Sequence, residues 1–120
     1  VFKKEPARIS NVEALKPIFR EAFMQILEGM RNKGWDPRVF ETLRMLERQA
    51  YLYSIGRRGK RGERPVTWTM NSKHIKGIAG DVISKKDGWS NKKFFDDLAL
   101  VAAEHGCRTL PGDRCHVELE

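Results

Sequence analysis

Ile18, Phe19, Ala22, Phe23, Ile26, Leu27 and Met30 recur at three- and four-residue steps, which makes one apolar face of a helix. Pro17 suits the first helical position, where its missing N–H costs nothing, and Gly34 suits the stop. A start at Ser10, with Glu13 completing a capping box, would put Pro17 inside the helix. A short turn over 10–15 and a main helix from about Pro17 is therefore the expectation. Residues 38–44, RVFETLR, read as a short strand with Val39, Glu41 and Leu43 on one side and Phe40, Thr42 and Arg44 on the other. A second helix is expected from about Leu46 to Ile55, ended by Gly56. Residues 66–71, VTWTMN, and 78–83, IAGDVI, read as strands. A third helix is expected from about Asn91 to His105, with Ser90 as N-cap, Gly106 past its end, and Phe94, Phe95, Leu98, Val101 and Ala102 facing inward. A turn at 111–113 and a strand, CHVELE, close the chain.

Helices and strands are mixed without regular β-α-β alternation. That order predicts an α+β fold, a small and largely antiparallel sheet with helices packed on one side. The 120 residues favour one domain, and no repeat or internal boundary is visible. No apolar run approaches the ~18–20 residues of a membrane span. The start, VFKKEPARIS, lacks an apolar stretch behind its basic residues, so no signal peptide is visible.

Charge narrows the partners. Lys and Arg number 23 against 16 Asp and Glu, a net +7. Nucleic acid, anionic lipid and bacterial wall polymer would all attract such a surface. The most basic stretch, residues 57–65, RRGKRGERP, reads as an exposed, mobile loop. Cys107 and Cys115 are too few for a disulfide framework; they can pair across a short loop, bind metal or stay reduced.

His74, Asp81 and His116 stand out as metal ligands of the N/O type, the kind a catalytic zinc takes in threes while keeping one position open. Gly77 and Gly80 argue against a helix between His74 and Asp81, so a loop leading into a strand is expected. His116 would come from the last strand, adjacent in an antiparallel sheet. Asp113 lies three residues before His116, and residues so spaced on an unbroken strand face opposite ways. Pro111 and Gly112 break the strand just before it, so a bend can bring both side chains to one cleft, with Asp113 as general base.

Ser72-Lys-His74-Ile-Lys-Gly77-Ile-Ala79-Gly-Asp81 fits S-x-H-x-x-G-x-A-x-D, and Asp113-Arg-Cys-His116-Val-Glu118 fits D/E-x-x-H-x-E. These segments resemble the zinc peptidases that include D-alanyl-D-alanine carboxypeptidases and dipeptidases and phage L-alanyl-D-glutamate endopeptidases (endolysins). Arg44-Met-Leu-Glu-Arg-Gln49, with Leu52-Tyr53 and Gly56-Arg57 behind it, resembles that family's R-S-x-x-x-Q…LY..GR segment, and Asp87-Gly88-Trp89 also fits. The resemblance runs from about Leu15 to Glu118. It implies the hedgehog/D-Ala-D-Ala peptidase fold, with Zn²⁺ on His74, Asp81 and His116 and Asp113 as the base. It further implies Arg44 as the arginine that steadies a substrate carbonyl or carboxylate, with Gln49 and Ser72 beside substrate. Glu118 shares a strand face with His116, and the expectation is that it orients that ligand from behind. The implied substrate is a peptidoglycan stem peptide, cut by a peptidase made without a signal peptide and released during phage lysis. No separate wall-binding module fits in 120 residues, so the net charge and the 57–64 loop are expected to hold an anionic wall polymer. Two departures stand out. Met45 replaces the family's usual serine, and the stretch from Gly106 to Asp113 is short and lacks a tryptophan.

Blander readings apply residue by residue. A single histidine on an apolar strand is more often packed core than ligand, Asp113 alone is an ordinary turn residue, and His105 suits a helix C-terminus. Phe94, Phe95 and Trp89 read as core. His105, Cys107, Cys115 and His116 offer a rival structural zinc site, although their spacing matches no common ligand set. The rival from another class is a basic nucleic-acid-binding module; no recognition helix or aromatic RNA platform supports it, and no nucleic acid partner is expected.

Overall fold

The computed structural model describes Phe2 and residues 4–120. A 3₁₀ turn, Val12–Ala14, leads into α1 (Pro17–Asn32), then β1 (Pro37–Glu41), α2 (Leu46–Ser54), β2 (Ala79–Ser84), α3 (Lys92–Glu104), β3 (Cys107–Leu110) and β4 (Asp113–Leu119). The strands form one sheet in the order β1-β2-β4-β3, and every neighbouring pair is antiparallel. The α+β reading therefore holds.

Strand alternation divides the sheet into two working faces. Gly80 and Val117, paired across β2 and β4, and Val82 face a core built from Phe19, Phe23, Ile26 and Met30 of α1 and Phe94, Leu98 and Val101 of α3. The residues between them, Asp81, His116 and Glu118, lie on the opposite face. Phe23 packs so closely over β2 that a Cβ on Gly80 would meet two ring carbons at 2.7 Å. The ring is fully buried and cannot step aside. Gly80→Ala is expected to cost about 1–3 kcal/mol through this overlap, read as a melting temperature lower by several degrees.

Helix α2 stands apart from the α1–α3 pair. Its buried residues are polar, Arg48 and Gln49, and they serve the opposite face of the sheet. Ahead of α1, residues 5–11 form a strap behind that face. The Thr42 N–H donates to the Ile9 carbonyl at 2.7 Å, and the Thr42 hydroxyl lies 2.9 Å from the Asn11 carbonyl. Arg48 donates to the Glu5 carboxylate at 2.6 Å and to the Pro6 carbonyl at 2.9 Å.

The turn expected over 10–15 and the helix start at Pro17 are both found, with Asn11 capping the turn. Several local expectations are corrected. Asn91, not Ser90, caps α3 by accepting the Phe94 N–H at 3.1 Å. β1 ends at Glu41, after an irregularity between Val39 and Glu41 that puts an extra residue, Phe40, into its pairing with β2. β3 went unmarked in the sequence, because two of its four residues, Thr109 and Leu110, are only half-buried and Arg108 is exposed. Residues 66–71 join no strand. Their alternation is real, but their carbonyls are held by side chains: Gln49 donates to Thr69 and Arg57 to Thr67. Cys107 and Cys115 are both buried and unpaired, and burial pushes both thiols up from the usual range.

Candidate metal centre

The first histidine is fixed by a turn built for it. Gly77 takes φ +72°, which lets the chain reverse before β2. The Ser72 hydroxyl accepts the His74 N–H at 3.2 Å, and the His74 carbonyl accepts from the Arg44 N–H at 3.0 Å. The ring, 1% exposed, puts Nδ1 at 2.8 Å from the Thr42 carbonyl. A carbonyl only accepts, so Nδ1 carries the proton and Nε2 keeps its lone pair. That Nε2 lies 3.2 Å from Asp81 Oδ1.

Asp81 and His116 are direct cross-strand partners in β2 and β4, so the pleat sends both side chains the same way. His116 Nδ1 lies 3.6 Å from Asp81 Oδ1, while its Nε2 is 2.8 Å from Glu118 Oε1. Glu118 accepts the Nε2 proton, which leaves Nδ1 free on the Asp81 side. One ligand atom from each of His74, Asp81 and His116 thus lies within 4.8 Å of the other two, and all three residues are buried. Among the described residues this is the one such group of His, Cys, Asp and Glu. His105, Cys107 and Cys115 do not join His116 in another.

The set suits a divalent cation of the zinc type. It offers two imidazole nitrogens and one carboxylate oxygen, each imidazole with its outer N–H tied to an oxygen acceptor. Burial opposes ionisation of Asp81, but its interactions with the His116 and His74 side chains outweigh it and hold the carboxyl well below the usual range. Burial likewise opposes the charge on Glu118. Hydrogen bonds from Lys73, His116 and Arg108 prevail and bring it down to about 2. Both carboxylates are therefore anions at neutral pH.

Behind the centre, Arg44 donates to Glu41 and to the Gln49 side-chain carbonyl, each at 2.8 Å, and stands 3.8 Å from Asp81 Oδ2. Arg48 grips the second oxygen of Glu41 at 2.6 Å. The Arg44 Nε is buried without a partner, alone in that among the side-chain atoms of the described residues. Gln49 is fully buried. Its amide joins Arg44 to the Thr69 carbonyl, so it lies behind Arg44 and not on the cavity wall.

A cavity of ≈ 970 Å³ opens over the three ligands, and Arg44, Ser72, Asp113 and Glu118 share its lining. Asp113 opens β4 just after the turn at Pro111 and Gly112. Its half-exposed carboxylate has Oδ2 3.9 Å from His116 Nδ1. All the sequence-selected residues except Gln49 thus line one cavity.

Four participants were missed. Thr42 fixes the His74 ring through its backbone, which no side-chain motif marks. Glu41 had a signal: an acid between Val39 and Leu43 on one predicted strand face is a candidate for a buried ion pair. Trp89, expected in the core, is 56% exposed and stands on the cavity wall, edge-on to Phe40 at 4.8 Å between ring centres. Trp68, 80% exposed, lines the same cavity.

The fold is that of solved bacterial endo- and carboxypeptidases, the activities the motifs resemble. The L-Ala D-Glu endopeptidase ChiX of Serratia marcescens superposes over 97% of this chain and 92% of its own, with a TM-score of 0.65 at 22% identity. The L,D-carboxypeptidase DacB from Streptococcus pneumonia matches over 88% of this chain and 66% of its own, with a TM-score of 0.63 at 22% identity. The LD-carboxypeptidase LdcB, whose structure addresses peptidoglycan recognition, matches over 88% and 58%, with a TM-score of 0.65 at 16% identity. No protein-family profile and no curated protein matches the sequence significantly.

Proposed function

We propose that this chain is a zinc-dependent peptidase that cuts peptidoglycan stem peptides, of the L-alanyl-D-glutamate endopeptidase or D-Ala-D-Ala carboxypeptidase type. The observation that carries the reading is the convergence of His74, Asp81 and His116 below one cavity, with both imidazoles aligned by outer acceptors. The activities named for ChiX, DacB and LdcB support the substrate class.

The three residues would hold Zn²⁺, which when bound supplies a Lewis acid able to bring the pKa of water from about 15.7 towards about 7. Asp113 takes the proton of the attacking water and returns it to the leaving amine; its position beside His116, half-exposed to the cavity, suits both transfers. Arg44 sets a fixed positive charge next to the reacting carbonyl. Glu41 and Gln49 keep its guanidinium from swinging away. Ser72 holds the His74 turn, and Glu118 holds the His116 ring.

A phage or prophage endolysin role fits this reading. The net charge of +7 suits attachment to an anionic wall polymer through the 57–64 loop. One experiment tests the core claim. Dialysed protein should retain about one zinc per chain, and digestion of defined muropeptides, followed by mass spectrometry, should release fragments from a single stem-peptide bond. Chelation should stop the release and zinc should restore it. Absence of bound zinc, or cleavage that survives chelation, would overturn the proposal.

A further inference from the structure

The segment 66–71 is inside out. Its sequence alternates as a half-buried strand would, yet the large apolar members face solvent: Val66 is 61% exposed, Trp68 80% and Met70 39%. The residue between the first two, Thr67, is half-buried, with its hydroxyl 3.4 Å from the Gln49 amide nitrogen. This is not a loose loop that failed to find a core. Gln49 donates to the Thr69 carbonyl at 2.6 Å, and Arg57 donates to the Thr67 carbonyl at 3.0 Å and to the Tyr53 carbonyl at 2.6 Å. The Arg57 guanidinium also lies over the Tyr53 ring at 3.9 Å and 5.3 Å from the Trp68 ring centre. The backbone on both sides of Trp68 is clamped by side chains while its indole is bare to solvent, so the ring is carried on a segment fixed before any ligand arrives.

The ridge is continuous with the site, because Val66, Thr67, Trp68 and Thr69 line the cavity that ends at His74, Asp81 and His116. We propose that Trp68 and Arg57 form a subsite for the carbohydrate to which a stem peptide is attached. The inference rests on the peptidase reading and adds the part of the substrate lying outside the scissile bond. A flat indole face matches the C–H face of a pyranose ring, and the guanidinium beside it, whose Nη1 group is spent on the Tyr53 and Thr67 carbonyls, keeps further N–H donors for the sugar's hydroxyl oxygens. A peptide alone would leave the indole bare.

The test compares two substrates with the same stem peptide, one free and one carried on a disaccharide. For Trp68→Ala, KM for the disaccharide-peptide should rise about tenfold, with kcat held within about twofold, while KM for the free peptide moves less than about twofold. Trp68 is mostly solvent-exposed, so the fold should persist, checked by circular dichroism and zinc content. Trp68→Phe, which keeps an aromatic face, should recover most of the loss. Equal effects on both substrates, or none on either, would overturn the subsite. Calorimetric titration with the disaccharide free of peptide separates this failure from failure of the peptidase reading. If the parent protein cleaves neither substrate, the peptidase reading falls. Disaccharide binding that weakens in Trp68→Ala then still upholds the sugar site, and unaltered or absent binding rejects it.

Discussion

His74→Ala should lose zinc and, with it, all measurable cleavage. The ring supplies one of three ligand atoms and is held from two sides, by Thr42 through Nδ1 and by the Ser72–Gly77 turn through its backbone. Losing only an outer partner of a metal ligand typically weakens binding 10–100-fold, and losing the ligand itself should exceed the upper end of that range. The residue lies on the sheet face away from the Phe19–Phe23–Phe94 core, so the secondary structure should survive. Zinc content by atomic absorption, circular dichroism and muropeptide digestion together read the outcome. A variant that keeps its zinc and its activity would remove His74 from the centre.

Asp113→Asn should separate binding from chemistry. The amide has nearly the shape of the carboxylate but takes up no proton, so kcat should fall about 10²–10⁴-fold, while zinc stoichiometry stays at that of the parent. Asp113 is not one of the three converging groups, and its carboxylate is more than half exposed to the cavity, so the metal does not depend on it for a ligand. Its exposure also means that the substitution leaves no buried group without a partner. Single-turnover release of stem-peptide fragments is the measurement. Wild-type turnover in this variant would show that the proton goes elsewhere.

The site was more legible than parts of the fold, for physical reasons. His74, Asp81 and His116 can be grouped from the sequence because a metal centre needs particular donor atoms, and few side chains carry them. Gly77 and Gly80 correctly argued for a turn and strand between the first two ligands. The helical stripe ending at Met30 and the inward face of α3 were equally plain, since a 3.6-residue period survives in one dimension. Residues 66–71 misled because alternation reports two unlike faces and says nothing about which one meets solvent. Trp89 misled for a related reason: aromatic size suggests burial, but a ring on a cavity wall stays open to whatever enters the cavity. The Thr42 carbonyl left no trace, as every residue has one. Gln49 was singled out by its motif; what it does, bracing Arg44 against the 67–69 segment, emerges only from packing.

The strap formed by residues 5–11 is bonded to Thr42 and Arg48, more than thirty positions further along the chain. Ile9 and Asn11 anchor Thr42, and Thr42 sets the tilt of the His74 imidazole; Glu5 anchors Arg48, which shares Glu41 with Arg44. These bonds make a girder running from the strap to the rear of the reaction chamber. Anything tethered ahead of Glu5, whether a neighbouring module or an affinity handle, therefore leans on the same girder as the histidine it never touches.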